Sequence, residues 1–229
     1  MMSKKKIKVK VKKRRLKIKR ILICILSIIL IGLLGYYFSK LPIRNIYVIG
    51  NSTLSDKEII EYAGISDYPS FLNTHSTSIS DGIKNHMYIK SVNVKKRLYN
   101  KVYIYIEEKK ILCIYDNKLI LEDGSMVDNN YNITSYPILM SDISGVKDKF
   151  IDRFSLVNND ILLKISEVEY TPNEVDNERF TLRMNDGNLV YVTLNKIEKV
   201  NRYNSIYSSL DGKKGIIYLD SGDYVEVRE

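Results

Sequence analysis

Twelve Lys or Arg and no acid stand in the first twenty residues, MMSKKKIKVKVKKRRLKIKR, and an unbroken eighteen-residue apolar run, ILICILSIILIGLLGYYF, follows at once. Charged side chains are costly in hydrocarbon, and Lys/Arg-rich flanks stay on the cytoplasmic side of a membrane. This pairing therefore predicts that everything after the run lies outside the cytoplasm. Of the chain's 36 Lys and Arg, 12 lie in the tail and 24 remain against 27 Asp and Glu. The formal +9 is a property of the tail, and the rest of the chain is near −3.

Residues 21–38, at about 1.5 Å per residue, span roughly 27 Å, close to the hydrocarbon thickness of a bilayer. Tyr36 and Tyr37 stand at the outer end of the run, where amphipathic rings favour the interface. A cleaved secretory signal is the competing reading. The run exceeds the usual apolar region of about 7–15 residues, and no small-x-small cleavage site follows it. A helix buried in a soluble core is the third reading, and the basic flank argues against it. The expectation is an uncleaved anchor over residues 21–41 behind a cytoplasmic tail, 1–20. That tail suits adsorption to anionic lipid. For nucleic acid it offers no aromatic to stack on a base and no helix-capping signal.

Chemistry-bearing residues are sparse. Cys24 lies in the apolar run and Cys113 is alone outside it, so no intrachain disulfide can form there. Cys113 sits in Ile111-Leu112-Cys113-Ile114-Tyr115 and reads as a small buried hydrophobe. The two histidines, His75 and His86, have no Cys or carboxylate cluster beside them and read as surface residues rather than metal ligands. Ser144-Gly145-Val146-Lys147 fits a Ser-x-x-Lys pattern, but its Lys-Thr-Gly and Ser-Asp-Asn companions are missing. No phosphate loop or Gly-x-Gly-x-x-Gly occurs. No cofactor, metal or catalytic residue is expected, and the exported part reads as a binding module.

That part divides by pattern. Ile43, Ile46, Val48 and Ile49 make a strand ended by Gly50-Asn51, and Ser55-Asp56-Lys57-Glu58 is a capping box opening a helix that Gly64 stops. A second short helix is expected from Ser78 or Ser80 to His86. Two strands follow. Ile89, Ser91, Asn93 and Lys95 alternate with Lys90, Val92, Val94 and Lys96; Val102, Ile104 and Ile106 alternate with Tyr103, Tyr105 and Glu107. From Lys109 the pattern is mostly β, with Asp186-Gly187 as a strong hairpin signal. Helical stretches interrupt it near residues 146–158 and at 196–210, the latter with Ile197, Val200, Tyr203, Ile206, Tyr207 and Leu210 on one stripe. No linker separates the two units, which predicts that they abut.

This order of parts resembles the bacterial cell-division family FtsQ/DivIB. Residues 43–51, IRNIYVIGN, resemble the first strand of its POTRA domain, and 89–108 its closing hairpin, with Leu98-Tyr99 where the family often has Trp-Pro. Residues 121–127, Tyr136-Pro137-Ile138-Leu139 and 215–220 resemble further family segments, with Tyr218 where an acidic residue is common. The resemblance implies an α+β chain: a single N-terminal transmembrane helix, a small βααββ POTRA domain at 42–108, and a mostly antiparallel β domain with one long helix at 109–229. It implies a non-enzymatic division scaffold at the septal cell membrane, with FtsB/DivIC and FtsL-like single-span proteins as partners and a septal synthase as a further one. The alternative is a membrane-anchored extracytoplasmic cell-wall enzyme or its regulator. Family partners dock by strand addition to the last strands, which carries over to Gly215, Ile216, Ile217, Tyr218, Leu219, Asp220, Ser221, Gly222, Tyr224 and Val225. A terminal strand's unpaired backbone groups favour such an edge independently, with Tyr218 and Tyr224 either anchoring a partner or packing on the sheet.

Overall fold

A computed structural model describes residues 17–228. The first sixteen residues, which hold most of the expected lipid-adsorbing tail, lie outside the described residues, as does Glu229. The chain opens with helix α1 (Ile18–Ser39), 22 residues with a mean hydropathy of 2.6 over its most apolar window and no buried side chain. It is the one helix among the described residues long and apolar enough to cross a membrane. At 1.5 Å per residue it is about 33 Å long, enough for the hydrocarbon core. Among the described residues nothing covers its apolar surface, unlike the core helix of a soluble domain.

A βααββ unit follows: β1 (Asn45–Ile49), α2 (Asp56–Tyr62), α3 (Ser76–Lys84), β2 (Ile89–Arg97) and β3 (Lys101–Glu108). The sheet order is β1-β3-β2, with β1 parallel and β2 antiparallel to the central β3. Helix α2 begins as the sequence requires: the Glu58 amide donates to Ser55 Oγ at 3.3 Å, and the Ser55 amide to Glu58 Oε2 at 2.9 Å. Helix α3 starts two residues before the earliest expected position. Val102, Ile104 and Ile106 are buried against Ile59, Ile79 and Ile83 of the helices. Each such side chain contributes about 1.5–3 kcal/mol when taken out of water.

Strand β2 departs from simple alternation. A register shift between Ile89 and Ser91 inserts one residue, so Ile89 and the half-buried Val92 and Val94 all turn toward the core. The alternation read from the sequence put Ile89 on the face opposite Val92. A bulge, which breaks the two-residue period, reverses that.

The rest forms one nine-stranded sheet: β4 (Ile111–Tyr115), β5 (Lys118–Leu121), β6 (Met126–Asp128), β7 (Ile138–Leu139), β8 (Ile165–Tyr170), β9 (Arg179–Met184), β10 (Leu189–Thr193), β11 (Lys214–Tyr218) and β12 (Tyr224–Arg228). Its order is β12-β11-β10-β9-β8-β7-β4-β5-β6. Five of the eight neighbouring pairs are antiparallel, so the sheet is mixed but mostly antiparallel. Helices α4 (Lys147–Phe154) and α5 (Asn159–Leu162) cover it, with Phe150, Phe154 and Phe180 packed together in the core. The 196–210 stripe is a 3-10 helix (Leu194–Arg202) running into α6 (Tyr203–Ser209). Ile197, Val200, Tyr203 and Leu210 are buried, Ile206 is half-buried, and Tyr207 is exposed.

The two units abut through side chains. Ile111, Leu119, Leu121 and Val127 of the large sheet belong to the same packed cluster as the βααββ core. Tyr131 donates to Glu58 Oε1 at 3.0 Å, and Tyr88 to the Asp128 carbonyl at 3.3 Å. Cys113 is fully buried, and burial pushes its thiol up to about 12. His86 is half-buried between Tyr62 and Tyr88, at ring distances of 4.6 and 5.6 Å, rather than on the surface. That contact was invisible in the sequence because the three rings come from α2, the α3–β2 turn and the residue before β2.

Candidate protein interface

Strand β12 closes one end of the nine-stranded sheet and pairs only with β11 among the described residues. Its far edge therefore presents backbone groups with no strand beside them. At the other end, β6 is packed beneath the βααββ unit through Val127.

The ten residues singled out from the sequence divide by geometry. Gly215, Ile217 and Leu219 are buried, and Ile217 and Leu219 are part of the main core. Ile216 and Tyr218 are half-buried on the other face of β11. Because β11 has β10 on one side and β12 on the other, its backbone is already paired. Asp220, Ser221 and Gly222 form the turn. Tyr224 and Val225 lie on β12 with Glu226, Val227 and Arg228, three residues beyond the range carried over from the family resemblance.

Tyrosines cross this end of the sheet in register. Tyr191 of β10 pairs with Tyr218, and Tyr218 with Tyr224. The Tyr218 and Tyr224 rings stack at 4.6 Å and 14°, the Tyr191 and Tyr218 rings lie 5.4 Å apart, and the Arg179 guanidinium covers Tyr191 at 4.0 Å. Aromatic cross-strand pairs of this kind each add about 0.2–1 kcal/mol. Tyr218 also donates to Glu226 Oε2 at 3.2 Å. Thus Tyr218 packs within the row, while Tyr224 at its end is 53% exposed.

The β11–β12 turn is clamped from two sides. Arg179 Nε donates to Asp220 Oδ2 at 2.8 Å, and Lys199 Nζ to Asp223 Oδ1 at 2.6 Å; Lys196 Nζ reaches the Asp220 carbonyl. Burial alone would raise the Asp220 carboxyl, but the bonds from Arg179 and Ser221 outweigh it and hold the group below its ordinary range. The Lys199 ammonium likewise lowers Asp223. Where the sheet faces the helices, a cleft opens between the 3-10/α6 segment and the hairpin. It is lined by Ile206, Ile217, Leu219, Tyr224 and Val225, with Lys199, Arg202 and Asp223 on its rim. Arg179 and Lys196 carried no local signal in the sequence, since Asp220, which both meet, lies 41 and 24 residues away.

Residues 41–109 match the family model of the FtsQ-type POTRA domain, and residues 113–228 match that of the FtsQ/DivIB C-terminal domain. The chain belongs to the FtsQ/DivIB family of cell-division proteins. The cell-division protein DivIB of Bacillus subtilis (strain 168) is 30% identical over 222 residues, covering 92% of this chain and 84% of its own length. DivIB of Listeria monocytogenes is 30% identical over 212 residues, covering 87% and 78%. A solved structure of the major extracytoplasmic domain of DivIB from Geobacillus stearothermophilus aligns with 46% of this chain and 96% of its own, at 19% identity and a TM-score of 0.38. The family membership agrees with the resemblance read from residues 43–51, 89–108 and 215–220.

Proposed function

We propose that this chain is a non-enzymatic scaffold of the division machinery, anchored in the cell membrane by α1 with its N-terminus cytoplasmic and its C-terminus extracytoplasmic. It works at the septum, recruiting and stabilising FtsB/DivIC and FtsL-like single-span proteins and so helping to regulate septal peptidoglycan synthesis. In this reading the tail (1–20) and anchor (21–41) set location, and the POTRA domain (42–108) carries the β domain (109–229), which does the docking.

The observation that carries the reading is the open edge of β12 beside a half-apolar cleft with Arg202 at its rim. An incoming strand would hydrogen-bond to β12 and place alternate side chains toward the Ile206–Val225 cleft and toward Tyr224. With Lys199 paired to Asp223, Arg202 is the cation that suits an acid carried among a partner segment's apolar residues. The other residues named from the sequence, 215–219, then act from behind, by holding β12 in place.

Capture of a tagged FtsB/DivIC-like partner by the full-length protein tests this. Tyr224→Lys and Arg202→Glu change exposed side chains only, so both variants should fold normally and lose most of the capture. Removal of residues 221–229 should abolish it. Undiminished capture by all three would put the docking surface elsewhere, and turnover of peptidoglycan by the purified 41–229 fragment would favour a cell-wall enzyme.

A further inference from the structure

The end of the POTRA domain nearest α1 is built from three segments tied to one another. The chain leaves α1 at Ser39 and is caught at once by the loop before α3. Ser70 Oγ donates to the Ser39 carbonyl at 2.5 Å, the Phe71 amide to the Leu41 carbonyl at 2.8 Å, and the Ile43 amide to the Pro69 carbonyl at 2.9 Å. The tip of the β2–β3 hairpin is tied to the same exit. The Arg44 amide donates to the Asn100 carbonyl at 2.8 Å, and Asn100 Nδ2 donates to the Pro42 carbonyl at 3.0 Å. Lys96 Nζ locks loop to hairpin through the Thr74 carbonyl at 2.9 Å and lies 4.3 Å over the Phe71 ring.

Strand direction explains why these parts meet. β1 and β3 run parallel and start side by side, Asn45 opposite Lys101. The hairpin tip that precedes β3 therefore lies at the end of the sheet where the chain emerges from α1. Pro42 follows Ser39 by three positions, so the tie to the hairpin is within about 10 Å of the helix end. The headgroup layer of a bilayer is of similar scale, about 5–8 Å on each side.

The side chains presented at this end are unusual for a water-facing surface. Leu98 is 83% exposed, Tyr99 77% and Leu72 53%. Single exposed apolar residues are ordinary; several gathered at one end of a domain are less so. The three segments 40–44, 69–74 and 95–101 together hold five basic residues besides the Lys96 that ties loop to hairpin, Lys40, Arg44, Lys95, Arg97 and Lys101, and no acid. Apolar and aromatic tips surrounded by cations match the chemistry of an anionic bilayer interface, where rings and aliphatic groups enter the headgroup layer and ammonium and guanidinium groups meet phosphates.

We infer that this collar, with Leu98 and Tyr99 at its tip, seats the POTRA domain on the anionic phospholipid of the leaflet from which α1 emerges. The inference rests on α1 being the membrane anchor. It adds to that anchor a fixed orientation: seated this way, the POTRA domain cannot tumble on its connection, and the β12 edge is held at a defined height above the membrane.

Depth measurement on the full-length protein in nanodiscs tests it. Nitroxide labels are placed singly at Leu98→Cys, Ile29→Cys in α1 and Ser205→Cys in α6, in a Cys24→Ala background where buried Cys113 stays unlabelled. Collision with oxygen is compared with collision with a water-soluble nickel chelate. In phosphatidylglycerol-containing discs the oxygen-to-nickel ratio at Leu98 should be several-fold above that at Ser205 and below that at Ile29, and it should fall in discs of phosphatidylcholine alone. A ratio at Leu98 equal to that at Ser205, or unchanged between the two lipids, overturns the inference while an apolar reading at Ile29 leaves the anchor intact. A water-like reading at Ile29 would overturn the anchor and the inference together.

Discussion

The Asn188 side-chain oxygen accepts the Gly215 amide at 2.7 Å, and both groups are buried. This bond joins the β9–β10 turn to the first residues of β11, across 27 positions of sequence. Asn188 Nδ2 donates to Tyr203 Oη at 2.9 Å, and Tyr203 in turn donates to Asp186 Oδ2 at 2.6 Å, so the start of α6 shares the same network. Burial and the Asp186 carboxylate push the Tyr203 hydroxyl upward, keeping it a donor. The network sets where β11 begins, and β11 supports the exposed β12.

Asn188→Ala leaves the Gly215 amide without a partner in a dry site, while Tyr203 keeps its bond to Asp186. An orphaned buried group costs about 1–3 kcal/mol. Urea unfolding of the 41–229 fragment should show a loss of about 1–3 kcal/mol, and hydrogen exchange should quicken first in β11 and β12. A loss confined to the βααββ unit would contradict this placement.

Gly50 and Gly64 separate two roles of glycine. Both have positive φ, 97° and 64°, but a Cβ at Gly50 would stand 2.2 Å from the Ile106 carbonyl oxygen, whereas nothing lies within 4 Å at Gly64. Gly64→Ala should cost about 1 kcal/mol, the left-handed penalty alone. Gly50→Ala must also displace β3 backbone, and its melting temperature should fall well below that of Gly64→Ala. Equal effects would show that the Ile106 approach is not felt.

Glu108 ends β3 in a cradle of donors: the amides of Ser52, Thr53 and Leu54 at 3.1, 2.8 and 3.0 Å, and Ser52 Oγ at 2.7 Å. Burial would raise its carboxyl, but these bonds outweigh it and hold it below the ordinary range. A carboxyl lowered in the folded state stabilises fully above its unfolded value, near 4.3, and loses that contribution as pH falls through its lower folded value. Glu108→Gln should therefore destabilise at pH 7 by about 1–3 kcal/mol, and the difference from wild type should shrink as acid titrates the wild-type carboxylate. A gap that stays constant down to the acid transition would contradict the cradle.

Arg179 meets Asp220 and covers Tyr191, so Arg179→Leu removes a charge partner and a cation–π contact together. Both charged side chains are mostly buried, and stranding Asp220 should cost about 2–3 kcal/mol, less than for a fully dry pair. Partner capture should weaken through faster dissociation, because the turn that positions β12 is loosened. Adding Asp220→Leu should restore part of the lost stability.

Cys113 reports the integrity of the large sheet. Buried, with its thiol pushed up to about 12, it should resist iodoacetamide at pH 8 in the folded 41–229 fragment and react quickly in urea. Rapid labelling under native conditions would show that β4 is open to solvent.

Local physics made much of this protein legible from its residues alone. The apolar run specified a helix that no other described residue covers. The Ser55–Glu58 box, the alternation of Val102, Ile104 and Ile106, and the Asp186-Gly187 turn specified their elements, because caps, pleats and tight turns are decided by neighbours a few residues apart. Pairing order is not decided that way. β11 lies beside β10 only because the 3-10 helix and α6 carry the chain back across the sheet, and that leaves β12, not the more apolar 215–219, at the edge. The Ile89–Ser91 bulge, the core shared by Val127 with the βααββ unit, and the meeting of Asn100 with Pro42 likewise depend on burial and hydrogen bonding between distant segments. The sequence alone determined that a long apolar helix precedes an α+β part. Only the tertiary structure decided which backbone is left unpaired and which side chains stand beside the end of that helix.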